Sequence, residues 1–248
     1  MFHTTRALVL REVRYKEADR ILTLFTDSDG RITAKARGAL RKSSRTAAAT
    51  QQLTFAEMTL FGNRGKWTVN EASLIEPFSG LRSDIERFAL GSYFAECMEA
   101  FSAEDQPDPA LLQLGLNSLF ALSQGKQDPV KVKAAFELRL TALAGYEPDL
   151  QGCCICGRET PEEPLLCLED GGICCRKCRK ATMGAGAELD DASLAAFRYV
   201  LEAPAKLLLS FRLGGRSLAL FSEAAERYLL LYAERGFSTL DYWKKIKR

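Results

Sequence analysis

The stretch Arg6–Ala39, RALVLREVRYKEADRILTLFTDSDGRITAKARGA, decides how the first third of this 248-residue chain folds. Its apolar runs RALVLREV and RILTLFT are short, and Asp27-Ser28-Asp29-Gly30 supplies a turn before RITAKARGA. That is the signature of strands joined by tight connections. Two more runs of the same kind follow, around LTFAEMTLF and KWTVNEASLI, with the hairpin signal Gly62-Asn63-Arg64-Gly65 between them. Gly38 ends the third strand ahead of a Ser/Thr/Ala-rich loop, residues 43–50. Five strands in about 75 residues leave no room for crossover helices, so a small closed barrel is expected, and the OB-fold is the commonest such solution. An SH3-like barrel fits the same pattern.

After Pro77 the apolar period changes from two to about 3.6, which predicts a boundary near residue 80. The expected class is α+β: a five-stranded OB-fold barrel over residues 1–79, then an α-helical domain over 80–248 with a four-cysteine zinc insertion at about 150–180. Ser83-x-x-Glu86 reads as a capping box opening a helix whose face is Ile85, Phe88, Ala89, Ser92, Tyr93, Cys97 and Phe101. Asp108-Pro109 and Asp128-Pro129 predict helices over 110–123 and 130–145, the second closed by Gly145. Further helices are expected from Asp190 to Glu202, before the breaker Pro204, and, as the long final helix of the chain, near Ser222 to Arg235, ended by Gly236.

Hydrophobic residues make up 47% and charged residues 27%, a globular balance with no low-complexity linker. No apolar run approaches membrane-spanning length and the first residues show no small-residue cleavage site, so a cytosolic protein is expected. The net charge of +2 conceals a division. Residues 1–80 carry 13 Lys/Arg against 8 Asp/Glu, whereas residues 81–150 carry 6 against 11. The surplus of the first third is concentrated: between Asp29 and Glu57 there is no acid, while Arg31, Lys35, Arg37, Arg41, Lys42 and Arg45 all fall there.

Four cysteines form two pairs, Cys153-x-x-Cys156 and Cys175-x-x-Cys178, around an 18-residue stretch. This spacing suits one structural zinc held by four thiolates, with no open position for water or substrate. Gly157 suits the turn of one knuckle, and Gly171 with Gly172 the chain reversal before the other. Cys154 and Cys174 adjoin proposed ligands. One residue between Cys154 and Cys156 is cramped for two ligands on one ion, but Cys174 leaves an allowed spacing to Cys178 and stays open as an alternative to Cys175. Reduced thiols or a redox pair are the rival readings. Cys97 and Cys167 read as buried small apolar residues.

No catalytic constellation is visible. His3, the single histidine, sits at a terminus expected to fray, with no carboxylate near it in sequence. GNRGKW lacks the spacing and the Ser or Thr of a phosphate loop. A binding role is the better reading, and the acid-free stretch is its carrier. Lys35 and Arg37, two apart in a strand, project from one face, and Arg41, Lys42 and Arg45 follow on a flexible loop, so one surface collects five cations. Phosphate backbones bind such surfaces with little regard for base sequence. A solvated edge protected from aggregation is the plainer alternative. Phe25, Phe55, Phe61 and Trp67 could stack on bases, but each reads as core.

RALVLREVRYKEADRILTLFTDSDGRITAKARGALRKSSR resembles the N-terminal signature of the RecO family of bacterial recombination mediators, most specifically at TLFTxxxGR and ARGALRKxxR. LRSDIERFALGSYFAECMEAFSAEDQPDPALLQLGLNSL, FELRLTALAGYEPDLQGCCICG and GGICCRKC are similar to that family's helical domain and zinc module. The resemblance covers nearly the whole chain. It implies an OB-fold, a helical domain, one structural Zn2+ on Cys153, Cys156, Cys175 and Cys178, and DNA contacts at Lys35, Arg37, Arg41, Lys42 and Arg45. It further implies no enzymatic activity. The function it implies is binding of single- and double-stranded DNA, annealing of strands coated by single-strand-binding protein, and loading of RecA with RecR and, in some bacteria, RecF; beyond the resemblance, the helical domain is expected to capture the C-terminal tail of single-strand-binding protein. A cytoplasmic, nucleoid-associated location goes with it. The doubled cysteines depart from the family pattern. A zinc-containing adaptor that binds only protein is the main rival, and an enzyme acting on nucleic acid the third reading.

Overall fold

The computed structural model describes residues 1–63, 65–180 and 184–247. Five strands come first: β1 (Phe2–Tyr15), β2 (Asp19–Thr26), β3 (Gly30–Ala36), β4 (Phe55–Asn63) and β5 (Lys66–Glu76). Helices α1 (Ser79–Arg82), α2 (Ile85–Phe101), α3 (Pro109–Gln124) and α4 (Pro129–Leu143) follow. Four short strands, β6 (Asp149–Cys153), β7 (Pro164–Cys167), β8 (Gly172–Cys175) and β9 (Gly186–Glu188), precede α5 (Asp191–Glu202), α6 (Gly215–Ala233) and α7 (Ser238–Ile246). Two compact units result, Met1–Gly125 with Phe237–Arg248, and Lys126–Gly236.

In the first unit the strands close as β1-β2-β3-β5-β4, with β4 returning to β1. Every pairing is antiparallel except β3 with β5, where Ala34, Lys35 and Ala36 lie opposite Trp67, Thr68 and Val69. This order with its one parallel seam is that of the OB-fold, and it separates the OB reading from the SH3-like one. Ala7, Val9, Leu22, Leu24, Ile32, Ala34, Met58 and Leu60 fill the interior. Small residues on β3 suit the narrow lumen of a five-stranded barrel. Leu8 and its cross-strand partner Phe25 are also fully buried: α2 packs on β1, and Leu8 lies against Gly115 of α3. At the β2–β3 turn Gly30 has φ +66, and a Cβ there would lie 2.0 Å from the Gln106 carbonyl oxygen. Only glycine fits. β4 and β5 pair out to Asn63 opposite Lys66, and Arg64 of the expected hairpin turn lies outside the described residues.

Three helix readings need correction. The cap of α2 is Asp84, which accepts from the Glu86 and Arg87 amides, so the Ser83–Glu86 capping box does not form and Ser83 donates back to the Gly80 carbonyl. The α2 face is wider than a single stripe: Leu90, Gly91, Phe94, Ala95 and Met98 are buried alongside Ala89, Tyr93 and Cys97, while Ile85 is exposed. A helix covered by β1, α1, α3 and α7 needs apolar residues nearly all round. The long helix α6 starts at Gly215 rather than Ser222 and ends on Glu234, whose φ of +52 takes the left-handed cap expected of a glycine at 236. Asp108 and Asp128 cap α3 and α4 as expected, and Gly145 follows α4 with φ +91. In the second unit β6–β9 form a sheet in the order β6-β8-β7-β9, and α4 packs on α6.

Candidate functional site

The outward residues of β3 alternate with its buried ones. Ile32, Ala34 and Ala36 point inward, so Lys35 and, one residue past the strand, Arg37 lie on the outer face. The segment beyond is not a loose loop. The Leu40 amide donates to the Ala18 carbonyl, the Arg41 amide to that of Gly38, and the Arg20 guanidinium to the Ala47 carbonyl, while Ala39 and Ala49 are buried in the barrel core. This leaves Arg41, Lys42 and Arg45 exposed on a folded rim, with Arg37 beside them in sequence. Among the described residues none of these four makes an ion pair with a carboxylate.

Lys35 differs from those four. Its Nζ lies 2.8 Å from Asp19 Oδ2, and it sits over the Tyr15 ring, 5.0 Å from the centroid. The Lys35 ammonium and the Gly38 amide hold Asp19 below the usual carboxylate range. The run without acids in sequence is therefore joined by an acid from β2, because β2 and β3 pair with Ile21 opposite Lys35. Tyr15 itself is an exposed aromatic in this basic neighbourhood that the sequence reading missed; its signal is the strand-end position next to Lys16, whose Nζ also lies over the ring at 5.6 Å. Arg31 turns toward Glu104 at 3.5 Å. Of the four aromatics considered, Phe25 is buried and Phe55 and Trp67 are half-buried, but Phe61 is 39% exposed and packs against Phe2 on the surface.

His3 is not partnerless. β1 starts at Phe2, the Met1 ammonium donates to the Gly62 carbonyl, and the β2–β3 turn brings Asp29 Oδ2 to 2.8 Å and Ser28 Oγ to 2.9 Å from His3 Nε2. Both contacts fall on one ring nitrogen. A nucleophile–base–acid relay needs them on opposite nitrogens, so this cluster ties a turn to a strand and is not a catalytic triad.

The second unit gathers thiols. The Sγ atoms of Cys153, Cys156, Cys175 and Cys178 all lie within 4.8 Å of one another, with Cys156 and Cys175 at 3.9 Å. Four thiolates about 2.3 Å from a central zinc would stand about 3.8 Å apart, so the donor set fits that ion in number, softness and span. Gly157, with φ +71, lets its amide reach the Cys153 carbonyl, and the Cys178 amide returns to Cys175, giving the two knuckle turns. Burial works against ionisation of Cys153, but amides of Cys156, Cys175 and Ile155 outweigh it and lower its pKa to about 6. Cys178 is pushed up to about 12 by its hydrogen bond to Cys156, by burial and by the Cys153 charge. A dication among them would remove that repulsion. Cys174 lies elsewhere, its Sγ 3.4 Å from Cys167 Sγ. Cys97 and Cys167 are buried, as expected.

A closed five-stranded barrel of OB order, followed by helices and a four-cysteine module able to hold a metal ion, places the chain among OB-fold proteins with a metal-binding accessory. Its family is narrower. The chain belongs to the Recombination protein O family, whose N-terminal model matches residues 1–78 and whose C-terminal model matches residues 82–241. By its name it is a family of recombination proteins. The DNA repair protein RecO of Acetivibrio thermocellus is 32% identical over 98% of this chain and 97% of its own length. That of Symbiobacterium thermophilum is 31% identical over 95% and 94%, and that of Desulfitobacterium hafniense 35% identical over 79% and 72%. Among the described residues no helix is long and apolar enough to cross a membrane.

Proposed function

We propose that this protein is a non-enzymatic recombination mediator that grips single- and double-stranded DNA by its phosphates on the basic rim of the barrel. There it anneals complementary strands coated by single-strand-binding protein. It acts in the cytoplasm, at the nucleoid, with RecR and, where the pathway uses it, RecF, so that RecA is loaded at gaps. The helical part captures the C-terminal tail of single-strand-binding protein. The observation that carries this reading is the group Arg37, Arg41, Lys42 and Arg45: four exposed cations on one folded segment, none neutralised by a carboxylate among the described residues. Lys35 belongs to the same surface as a partly neutralised member. Such contacts lower repulsion between two phosphate chains while leaving base edges free to pair. One structural Zn2+ on Cys153, Cys156, Cys175 and Cys178 accompanies this function and takes no part in chemistry.

Salt dependence tests the surface. Four neutralised phosphates predict a slope of log affinity against log salt of roughly −3 for single strands, at about 0.7 per contact. Arg37→Glu with Arg41→Glu should flatten that slope by about 1.4 and abolish annealing, with circular dichroism unchanged. Lys35→Glu is a poorer probe, since it would set a second carboxylate against Asp19. Wild-type affinity and slope in the double variant would refute the placement. A wild type that fails to bind DNA at low salt, yet binds RecR, would favour a protein-only adaptor.

A further inference from the structure

The doubled cysteines leave Cys154 and Cys174 outside the metal cage, and Cys167 on β7 is a third thiol of this sheet that the cage does not use. Successive residues of an extended chain project to opposite sides, so Cys153-Cys154 and Cys174-Cys175 each send one sulfur to the cage and the other away from it. The second set converges. Cys167 Sγ and Cys174 Sγ are 3.4 Å apart and both residues are buried, at 1% and 0% exposure. Cys154, the neighbour of Cys153 at the end of β6, is exposed, donates its amide to the Ile173 carbonyl, and has its Sγ 3.9 Å from where a Gly172 Cβ would lie, next to Gly171, whose amide donates to the Cys167 carbonyl. Three sulfurs therefore step from the exposed end of β6 to the buried seam between β7 and β8.

We propose that Cys154, Cys167 and Cys174 form a second thiol site, separate from the four-cysteine cage, that takes hydrogen peroxide and closes reversibly as the Cys167–Cys174 disulfide. Exposure assigns the first step to Cys154: its sulfur bonds to one peroxide oxygen, the O–O bond breaks, and sulfenic acid and one water form. Cys167 then attacks the Cys154 sulfur, its proton leaving with the departing hydroxyl as a second water, which gives a Cys154–Cys167 disulfide. Cys174 attacks Cys167 in turn and releases Cys154 as a thiol, the Cys174 proton going to the departing sulfur. In sum two thiols are oxidised, one peroxide is reduced to two waters, and no further oxidant is needed. The last exchange has to shorten a 3.4 Å contact to a bond of about 2.05 Å between adjacent strands. Cellular dithiols reverse it. The site would spend oxidant on sulfurs that hold no metal. In that respect alone it rests on the metal reading above.

The test treats the metal-loaded full chain with stoichiometric hydrogen peroxide, blocks remaining thiols by alkylation, and maps disulfides by unreduced peptide mass spectrometry alongside metal analysis. The expected result is loss of two alkylatable thiols, a Cys167–Cys174 crosslink and undiminished metal content. Cys154→Ser, at an exposed position, should form the crosslink several-fold more slowly, and Cys174→Ser should stop at Cys154–Cys167. Oxidation confined to the four cage cysteines, no crosslink at all, or a crosslink formed in Cys154→Ser at the wild-type rate would each overturn the proposal. Absence of metal from the untreated protein would sink the metal reading and leave the disulfide map to decide this one separately.

Discussion

Lys133 shows how much one side chain can be asked to do. It is 1% exposed, yet its ammonium lies 2.9 Å from Glu137 on its own helix and 2.8 Å from Glu226 on α6. Burial alone would lower its pKa, but the two carboxylates outweigh burial and raise it above the ordinary lysine value. A raised folded-state pKa means that the stabilisation is fully present below the unfolded value, about 10.4, and fades as pH rises through the folded one. Replacing Lys133 by Met removes this cation from Glu137, a carboxylate at 0% exposure. The expected loss is about 3–5 kcal/mol, read from denaturant midpoints at neutral pH. A loss below 1 kcal/mol would mean the carboxylates find water or other donors.

The start of α5 is where an element's boundary is set by chemistry that can be titrated. Asp190 accepts from the Ser193 amide at 2.8 Å, Ser193 Oγ accepts from the Asp190 amide at 2.8 Å, and Ser217 of α6 donates to the other Asp190 oxygen at 2.7 Å. Burial would raise the carboxyl pKa, but the donors from Ser217 and Ser193 hold it below the usual range. Its contribution is therefore present above about pH 3.9 and is lost as pH falls through the depressed value. Asp190→Ala should lower stability by about 1 kcal/mol at pH 7, with the gap to wild type closing in acid. Asp190→Asn keeps an acceptor and should lose less. If the gap persists unchanged at low pH, the cap is not acting through its charge. The cysteine sheet is another matter: strands as short as PLLC and GICC, buried along their length, carry too little pattern to announce themselves.

For the whole molecule, the division into two units has a measurable consequence. The basic rim belongs to Met1–Gly125 and the four-cysteine cluster to Lys126–Gly236. On the proposed reading, chelation or Cys175→Ser should lower the melting temperature and speed amide exchange at Cys154 and Gly157. The salt slope of DNA binding should stay within error of wild type. Metal analysis of the purified protein should find about one zinc per chain. A metal-free wild type of unchanged stability would remove the zinc from the account, and a large fall in DNA affinity on chelation would give it a direct part in binding.

The barrel, the capped helices α3 and α4 and the four-cysteine cluster were legible in the sequence, because each rests on local rules: alternation, Asp-Pro starts, and fixed spacing between paired cysteines. Pairing partners were not. Asp19 beside Lys35, Asp29 beside His3, and Cys174 turned to Cys167 all arise from strands that meet only after the chain has closed on itself. The sequence by itself determined which residue types the rim and the cage would contain. Tertiary structure decided which of those charges stay free and which sulfurs face which centre, since register, unlike periodicity, is a property of two strands at once.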